Sequence, residues 1–121
     1  MDLQTLLNMQ REFDQRHGWS VDAVPPDRRL DVFEREIVGL MGEVGELANL
    51  VKKARLDVDR FTTASEAFDQ ITTGMREELV DIFIYLLRLF QLTETDIAAE
   101  YGKKIKMNIG RFKKFENGNS D

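Results

Sequence analysis

Two pairs of acidic residues have the spacing needed to present carboxylates side by side on a helix. Glu43 and Glu46 are three residues apart, and so are Glu78 and Asp81. Residues three apart lie on one face of a helix, about one turn from each other. Most acid pairs at this spacing are only solvated charge. Metal binding therefore depends on whether the rest of the chain brings the two pairs together.

The residues around both pairs favour a shared, partly dry site. Apolar side chains flank Glu78 and Asp81, so we expect these two carboxylates to be partly buried. Glu43 and Glu46 border an apolar stripe and can face a neighbouring helix. Four carboxylates drawn together raise one another's pKa and destabilise the fold unless cations neutralise them. A divalent metal is the simplest remedy.

Only oxygen ligands are available for such a metal. The chain has no cysteine and a single histidine, His17, which excludes thiolate sites and sites with two imidazoles. A di-iron bundle would need a Glu-x-x-His motif on each of two helices, and one histidine cannot supply both. Oxygen ligands suit Mg²⁺, for which Mn²⁺ can substitute. We therefore expect Glu43, Glu46, Glu78 and Asp81 to bind Mg²⁺.

A second polar group lies near the C-terminus. Lys104, Asn108 and Arg111 follow i, i+4, i+7 spacing along the apolar side of a predicted helix. They have the reach and polarity to hold phosphate oxygens, and arginine can do so bidentately. Basic residues in a last turn also complement the helix dipole. Both interpretations stay open.

Trp19 and His17 are candidates for contact with a nucleobase. Both are predicted to lie in or beside the loop that follows the first helix. Trp19 could stack on a base and His17 could donate or accept a hydrogen bond. The alternative is structural, because a lone tryptophan usually packs at the edge of a core and a lone histidine is usually structural.

Four helices are predicted to position these groups. The first begins behind an Asp2 cap and stops near Gly18, and a loop from 19 to 27 contains both prolines. The second begins between Arg28 and Asp31 and runs to about Arg55. Three glycines on it, at positions 39, 42 and 45, indicate close approach of another backbone, a packed helix or a ligand.

The boundaries of the third and fourth helices are less clearly marked in the sequence. The pattern weakens from 56 to 74, where residues 65 to 68 predict a short helical turn. A third helix is predicted from Met75 to Gln91, apolar round most of its circumference and therefore the most buried. Thr93 with Asp96 predicts a capping box that opens the fourth helix.

Length and composition indicate one all-α domain. With 121 residues and 42% hydrophobic content, residues 1–115 are expected to form a four-helix-bundle-like domain, with 116–121 a flexible tail. The apolar third helix predicts a homodimer or homotetramer.

A net charge of −5 argues against nucleic-acid binding. The chain shows no signal peptide or membrane span, so we expect a cytoplasmic protein.

The order of these motifs resembles a known family. Glu43-x-x-Glu46, then Glu78-x-x-Asp81, then Lys104 to Arg111 with Asn108 between them, is similar to the MazG-like all-α nucleoside triphosphate pyrophosphohydrolases. Relatives of that family include dCTP pyrophosphatases and dimeric dUTPases. The resemblance covers about residues 30 to 115, and the three elements in order are far more specific than either acid pair alone.

The resemblance implies a Mg²⁺-dependent cleavage of a nucleoside triphosphate into a nucleoside monophosphate and pyrophosphate. It also implies that the four acids hold metal, that Glu46 is a candidate base, and that the C-terminal group anchors phosphate. Two features depart from the family: the linker from 47 to 77 is longer, and Met75 stands where many members have lysine, with Arg76 a possible substitute. The Met75 departure favours the alternative, a non-catalytic helical module for nucleotide sensing or protein interaction.

Overall fold

Residues 1–116 are described by a computed structural model, and within them every regular element is helical. The α-helices are α1 (Leu3–Arg16), α2 (Arg29–Arg60), α3 (Ala64–Leu92) and α4 (Ile97–Arg111). Single turns of 3₁₀ helix occur at Pro26–Arg28 and Lys113–Phe115. The predicted all-α fold with four helices is confirmed. The proposed tail lies outside the described residues except for Glu116.

Local capping explains where α1 begins and ends. The Asp2 side chain accepts a hydrogen bond from the backbone N–H of Thr5 at 2.9 Å, which satisfies one free donor of the first turn. Gly18 follows the helix with a φ of +72°, a left-handed conformation that glycine adopts without a steric penalty. The predicted start and stop are confirmed, and the predicted loop is present as far as Pro25, where a 3₁₀ turn begins.

The weak region from 56 to 74 is more helical than predicted. Helix α2 continues to Arg60, and α3 begins at Ala64 rather than at Met75. The Thr63 side chain caps α3 by accepting from the N–H of Glu66, and the Thr62 hydroxyl donates to the Glu66 carboxylate. Ala54 of α2 and Ala67 of α3 are both buried. Capping and packing therefore extend two helices that the hydrophobic period alone did not reveal.

Helix α4 also begins differently from the prediction. The cap is Asp96, whose side chain accepts from the N–H of Ala99 at 3.0 Å. Thr93 instead ends α3, and its hydroxyl donates back to the Leu89 carbonyl at 2.8 Å. The predicted capping box is therefore wrong, although the helix it announced is present.

Helices α2 and α3 form a tightly packed hairpin joined by a short turn, and α1 packs on α3. Helix α3 contributes most of the buried residues, which confirms the prediction that it is the most buried element. Helix α4 has no buried residue and packs against no other α-helix to a comparable extent. Within a single chain, the bundle is therefore made by α1, α2 and α3.

Much apolar surface stays uncovered in the single chain. Leu79 and Val80 of α3 are more than half exposed, and so are Tyr101 and Ile109 of α4.

No helix among residues 1–116 is both long enough and apolar enough to cross a membrane.

Candidate metal centre

The hairpin of α2 and α3 brings three of the four predicted acids together. Glu43 and Glu46 of α2 and Glu78 of α3 each offer one carboxylate oxygen, and these oxygens lie within 4.8 Å of one another. The i, i+3 spacing puts the two α2 carboxylates on one face, and the pairing of the helices sets Glu78 opposite them. We call these three residues the acid cluster.

The acid cluster is electrostatically unfavourable without a cation. The Oε2 atoms of Glu43 and Glu78 are shielded from solvent and have no hydrogen-bond partner. The pKa of Glu78 is raised from 4.5 to about 7, first because only its neutral form can donate a hydrogen bond to Glu43, and further because of desolvation and the nearby charge of Glu46. Ionising Glu78 between about pH 4.5 and 7 therefore destabilises the metal-free fold.

These residues fit a hard divalent cation. Three carboxylates supply oxygen ligands, and two of their oxygens have no other partner. Oxygen ligands of this kind suit Mg²⁺ and Mn²⁺. A cation between them would replace the missing hydrogen bonds and remove the mutual repulsion.

Asp81 lies outside the acid cluster. The expectation of partial burial is right for Glu78 and wrong for Asp81, which is exposed. Since Asp81 follows Glu78 by three residues on α3, it is the next carboxylate along the same helix face. The structure therefore brings three of the four predicted metal ligands together and leaves the fourth, Asp81, at the surface.

The C-terminal polar group does not meet the acid cluster through helix packing in one chain. Lys104 and Arg111 are exposed and Asn108 is partly buried, all on α4, which has no extensive packing against α2 or α3. The Arg111 guanidinium lies 5.0 Å from the centroid of the Phe112 ring.

His17 and Trp19 form a stacked pair behind α1. Their ring centroids are 5.0 Å apart, and His17 also lies 4.2 Å from the Phe13 ring. His17 Nδ1 is 2.7 Å from the Phe13 carbonyl oxygen. The histidine is therefore held by local contacts of the helix end, while Trp19 remains about half exposed.

Trp19 lines a cavity of about 600 Å³ that we call the Trp19 cavity. Its walls come from the loop after α1, from α2 and from α3, and its lining residues are Gly18, Trp19, Ser20, Val24, Val32, Arg35, Glu36, Tyr85 and Arg88. An aromatic wall with a few charged groups is typical of sites for flat, polar ligands.

Two residues that line this cavity, Glu36 and Arg88, belong to an ion-pair network that the sequence analysis did not predict. Arg88 donates to both carboxylate oxygens of Asp14, from Nε at 3.0 Å and from Nη2 at 2.8 Å. Its Nη1 lies 3.7 Å from Oε2 of Glu36. The Asp14 side chain is only 1% exposed, and its hydrogen bond raises the pKa of Arg88 further. The available signal was a lone arginine in an apolar stretch of α3, which indicates a buried partner.

One of the three glycines marks close packing beside this cavity. A Cβ atom at Gly39 would overlap the ring and hydroxyl of Tyr85, whereas Cβ atoms at Gly42 and Gly45 would meet open space. The predicted close approach is therefore present at Gly39, and it comes from an aromatic side chain of α3. This contact sets Tyr85 in place along the cavity wall.

Comparison with known proteins gives no matching family model, no matching curated protein and no matching solved structure.

Proposed function

We propose that this protein is a Mg²⁺-dependent nucleotide pyrophosphohydrolase that converts a nucleoside triphosphate to its monophosphate and pyrophosphate. The observation that carries the proposal is the acid cluster, in which three carboxylate oxygens lie within 4.8 Å and two carboxylate oxygens are shielded and unpartnered. Such a site is costly to maintain unless it binds a cation. Triphosphates are natural ligands for carboxylate-held Mg²⁺.

The side chains of the acid cluster have distinct parts in this proposal. Glu43 and Glu78, with the shielded oxygens, would hold Mg²⁺, and Asp81, three residues after Glu78 on α3, would supply a further ligand. Bound Mg²⁺ supplies charge that offsets the phosphate oxygens and lowers the pKa of a coordinated water. Glu46 is the exposed member of the cluster, so its carboxylate is best placed to take a proton from a water molecule entering from solvent.

The rest of the nucleotide needs a base site and a phosphate site. The Trp19 cavity offers an aromatic wall for the base, with Trp19 and Tyr85 both lining it. Lys104, Asn108 and Arg111 supply charge-assisted donors for phosphate. Since α4 makes no extensive packing contact with α2 or α3 of its own chain, we assign this phosphate contact to the α4 of a second copy.

Pyrophosphate release from a panel of nucleoside triphosphates, with and without Mg²⁺, tests the proposal. We expect release only with Mg²⁺ or Mn²⁺, and loss of release in Glu46→Gln. The matched control is Glu77→Gln, which removes the same charge from an exposed position next to the cluster. Absence of release from every nucleotide with either metal would reject the enzymatic function.

A specific observation supports the non-catalytic alternative. Met75, which stands where the resembled family often has lysine, lines an apolar groove between α2 and α3 together with Ala54 and Phe68. It therefore has a packing role and supplies no phosphate contact. A nucleotide-sensing module would bind triphosphate and Mg²⁺ in the same assay without releasing pyrophosphate.

Mg²⁺ should raise the melting temperature of the protein. The cation binds the folded acid cluster and has no comparable site in the unfolded chain, so saturation stabilises the fold by about 3 kcal/mol at a hundred times Kd. Calorimetry at pH 8 with 5 mM EDTA and with about 10 mM Mg²⁺ measures the gain. Glu78→Gln should abolish most of the Mg²⁺-dependent gain in melting temperature, and Glu77→Gln should preserve that gain. An identical melting curve with and without Mg²⁺ would contradict metal binding.

The protein should be a homodimer or homotetramer in solution. Exposed apolar residues on α3, such as Leu79 and Val80, and on α4, such as Tyr101 and Ile109, offer surface that a second copy would cover. Multi-angle light scattering at micromolar concentration should give a mass at least twice that of one chain, which is 14.0 kDa. Removing residues from 97 onward should shift the protein towards monomer if α4 takes part. A full-length monomer would contradict both the assembly and the proposed phosphate contact.

A further inference from the structure

One side of the hairpin formed by α2 and α3 is apolar along several turns of both helices. Glu43 and Glu78 face each other across the hairpin, because their carboxylate oxygens lie within 4.8 Å. An α-helix turns by about 100° per residue, and the short connection makes α2 and α3 antiparallel. The residue that follows each glutamate therefore points to the same side of the hairpin. These two residues are Val44 and Leu79, and both are exposed.

The same side continues along each helix in steps of seven residues, which make about two turns. We call the resulting surface the hairpin face, and it consists of Ile37, Val44 and Val51 of α2 with Thr72, Leu79 and Leu86 of α3. All six side chains are uncharged, and none of them is buried in the single chain. The residue four positions before each of the six is apolar as well. Alternating spacings of four and three are typical of helices that pack together in bundles.

The acid cluster opens on the other side of the hairpin. Glu46 and Asp81 follow Glu43 and Glu78 by three residues, a rotation of about 300° that equals about 60° in the opposite direction. Both side chains are exposed. A molecule that covers the hairpin face therefore leaves Glu46 and Asp81 accessible.

The chain exposes more surface than a compact monomer of its mass. Its accessible surface is 9405 Å², whereas a compact monomer of 14.0 kDa exposes about 6,700 Å². The surplus is about 2,700 Å². A standard interface covers about 800 Å² on each partner, and an obligate homodimer covers roughly 1,000 to 2,500 Å² on each. The surplus is therefore large enough for an obligate homodimer.

We propose that the hairpin faces of two copies pack on each other across a twofold axis and form a four-helix bundle. An interface of this symmetry needs a surface that is complementary to itself. The hairpin face meets this need, because it carries no charge that would meet a like charge on the second copy. An apolar groove of about 540 Å³ between α1 and α3 widens the surface, since Val80 and Phe83 line it beside Leu79. Both acid clusters remain on the outside of this dimer.

A glutamate on the hairpin face should separate the two copies. Val51 lies on this face and is 49% exposed in the single chain, and Val38 lies off it on the same helix and is 65% exposed. Val51→Glu buries a charge only where a second copy covers position 51, so the dissociation constant of the dimer should rise about a hundredfold or more. The matched control, Val38→Glu, should keep the wild-type mass. Light scattering over a dilution series measures both variants. A monomeric wild type at micromolar concentration, or an unchanged dimer in Val51→Glu, would overturn the proposal.

Cysteine labelling keeps the test decisive if Val51→Glu does not fold. The chain contains no cysteine, so a single introduced thiol reports on one position. Val51→Cys and Val38→Cys are each treated with a water-soluble maleimide, and each rate is divided by the rate of the same variant in guanidinium chloride. Val51→Cys should react about tenfold or more slowly than Val38→Cys, because only the dissociated fraction is accessible. Dilution should remove this difference. Equal corrected rates at micromolar concentration would contradict the interface.

These outcomes do not depend on the proposed hydrolysis. Slow labelling at position 51 in a protein that releases no pyrophosphate rejects only the hydrolysis. Equal labelling at positions 38 and 51 in a protein that releases pyrophosphate rejects only the hairpin interface.

Discussion

Glu46→Gln should lower kcat by about two to four orders of magnitude and change KM by only a few-fold. The carboxylate of Glu46 is the exposed member of the acid cluster, so its proposed part is to accept a proton as the transition state forms. An interaction that acts mainly in the transition state affects turnover far more than substrate affinity. Asp81→Asn should change kcat in the same direction, because it removes the proposed additional metal ligand.

Arg111→Ala should affect KM more than kcat, in contrast to Glu46→Gln and Asp81→Asn. A phosphate contact exists in both the bound ground state and the transition state, so its loss raises KM first, by an amount equivalent to about 1.5 to 3 kcal/mol. Steady-state kinetics with the nucleotide identified in the panel separates the two patterns. Lys103→Ala is a suitable control, because Lys103 is already paired with Glu100 on the exposed surface. Wild-type KM and kcat in Arg111→Ala would show that α4 has no part in binding phosphate.

Asp14→Ala should destabilise the fold by about 3 to 5 kcal/mol, because it leaves Arg88 buried without its principal partner. The Arg88 side chain is only 14% exposed, so water replaces the two lost hydrogen bonds only in part. Chemical denaturation measures the free energy of unfolding, and the melting temperature should fall on the order of 10 °C or more. The triple change Asp14→Leu, Glu36→Gln and Arg88→Met should recover much of the loss, since it removes all three charges of the network together.

The exposed pair of Arg28 and Asp31 provides the control for this effect. Their side chains are 64% and 65% exposed, and their closest atoms are 3.3 Å apart. Asp31→Ala should therefore change the free energy of unfolding by less than about 1 kcal/mol. If Asp14→Ala costs no more than Asp31→Ala, the buried network contributes nothing beyond an ordinary surface ion pair.

The features that local sequence determines were predictable. The Asp2 cap, the stop at Gly18 and the apolar stripe of α2 depend on residues within a few positions of each other. The acid cluster was also partly predictable, because i, i+3 spacing on two adjacent helices restricts where carboxylates can meet. The pairing of Glu78 with Glu43 and Glu46 followed from that geometry together with a tight helical hairpin.

The features that depend on distant residues were not predictable. Asp14 and Arg88 are 74 positions apart, and nothing in either local pattern identifies the other as a partner. The exposure of Asp81 depends on how α3 is rotated against α2. The lack of extensive packing between α4 and α2 or α3 depends on the chain turn after Leu92. The extended ends of α2 and α3 arise from packing between the two helices, which overrides weak local preference.

The contact between Gly39 and Tyr85 has a consequence for how this sequence can evolve. Because a Cβ at position 39 would overlap the tyrosine ring, positions 39 and 85 are not free to change independently. In a library randomised at both, alanine at 39 should be recovered with smaller side chains at 85 and depleted with tyrosine there. This is epistasis enforced by a single steric overlap. Because Tyr85 lines the Trp19 cavity, each permitted pair would give that cavity a different shape.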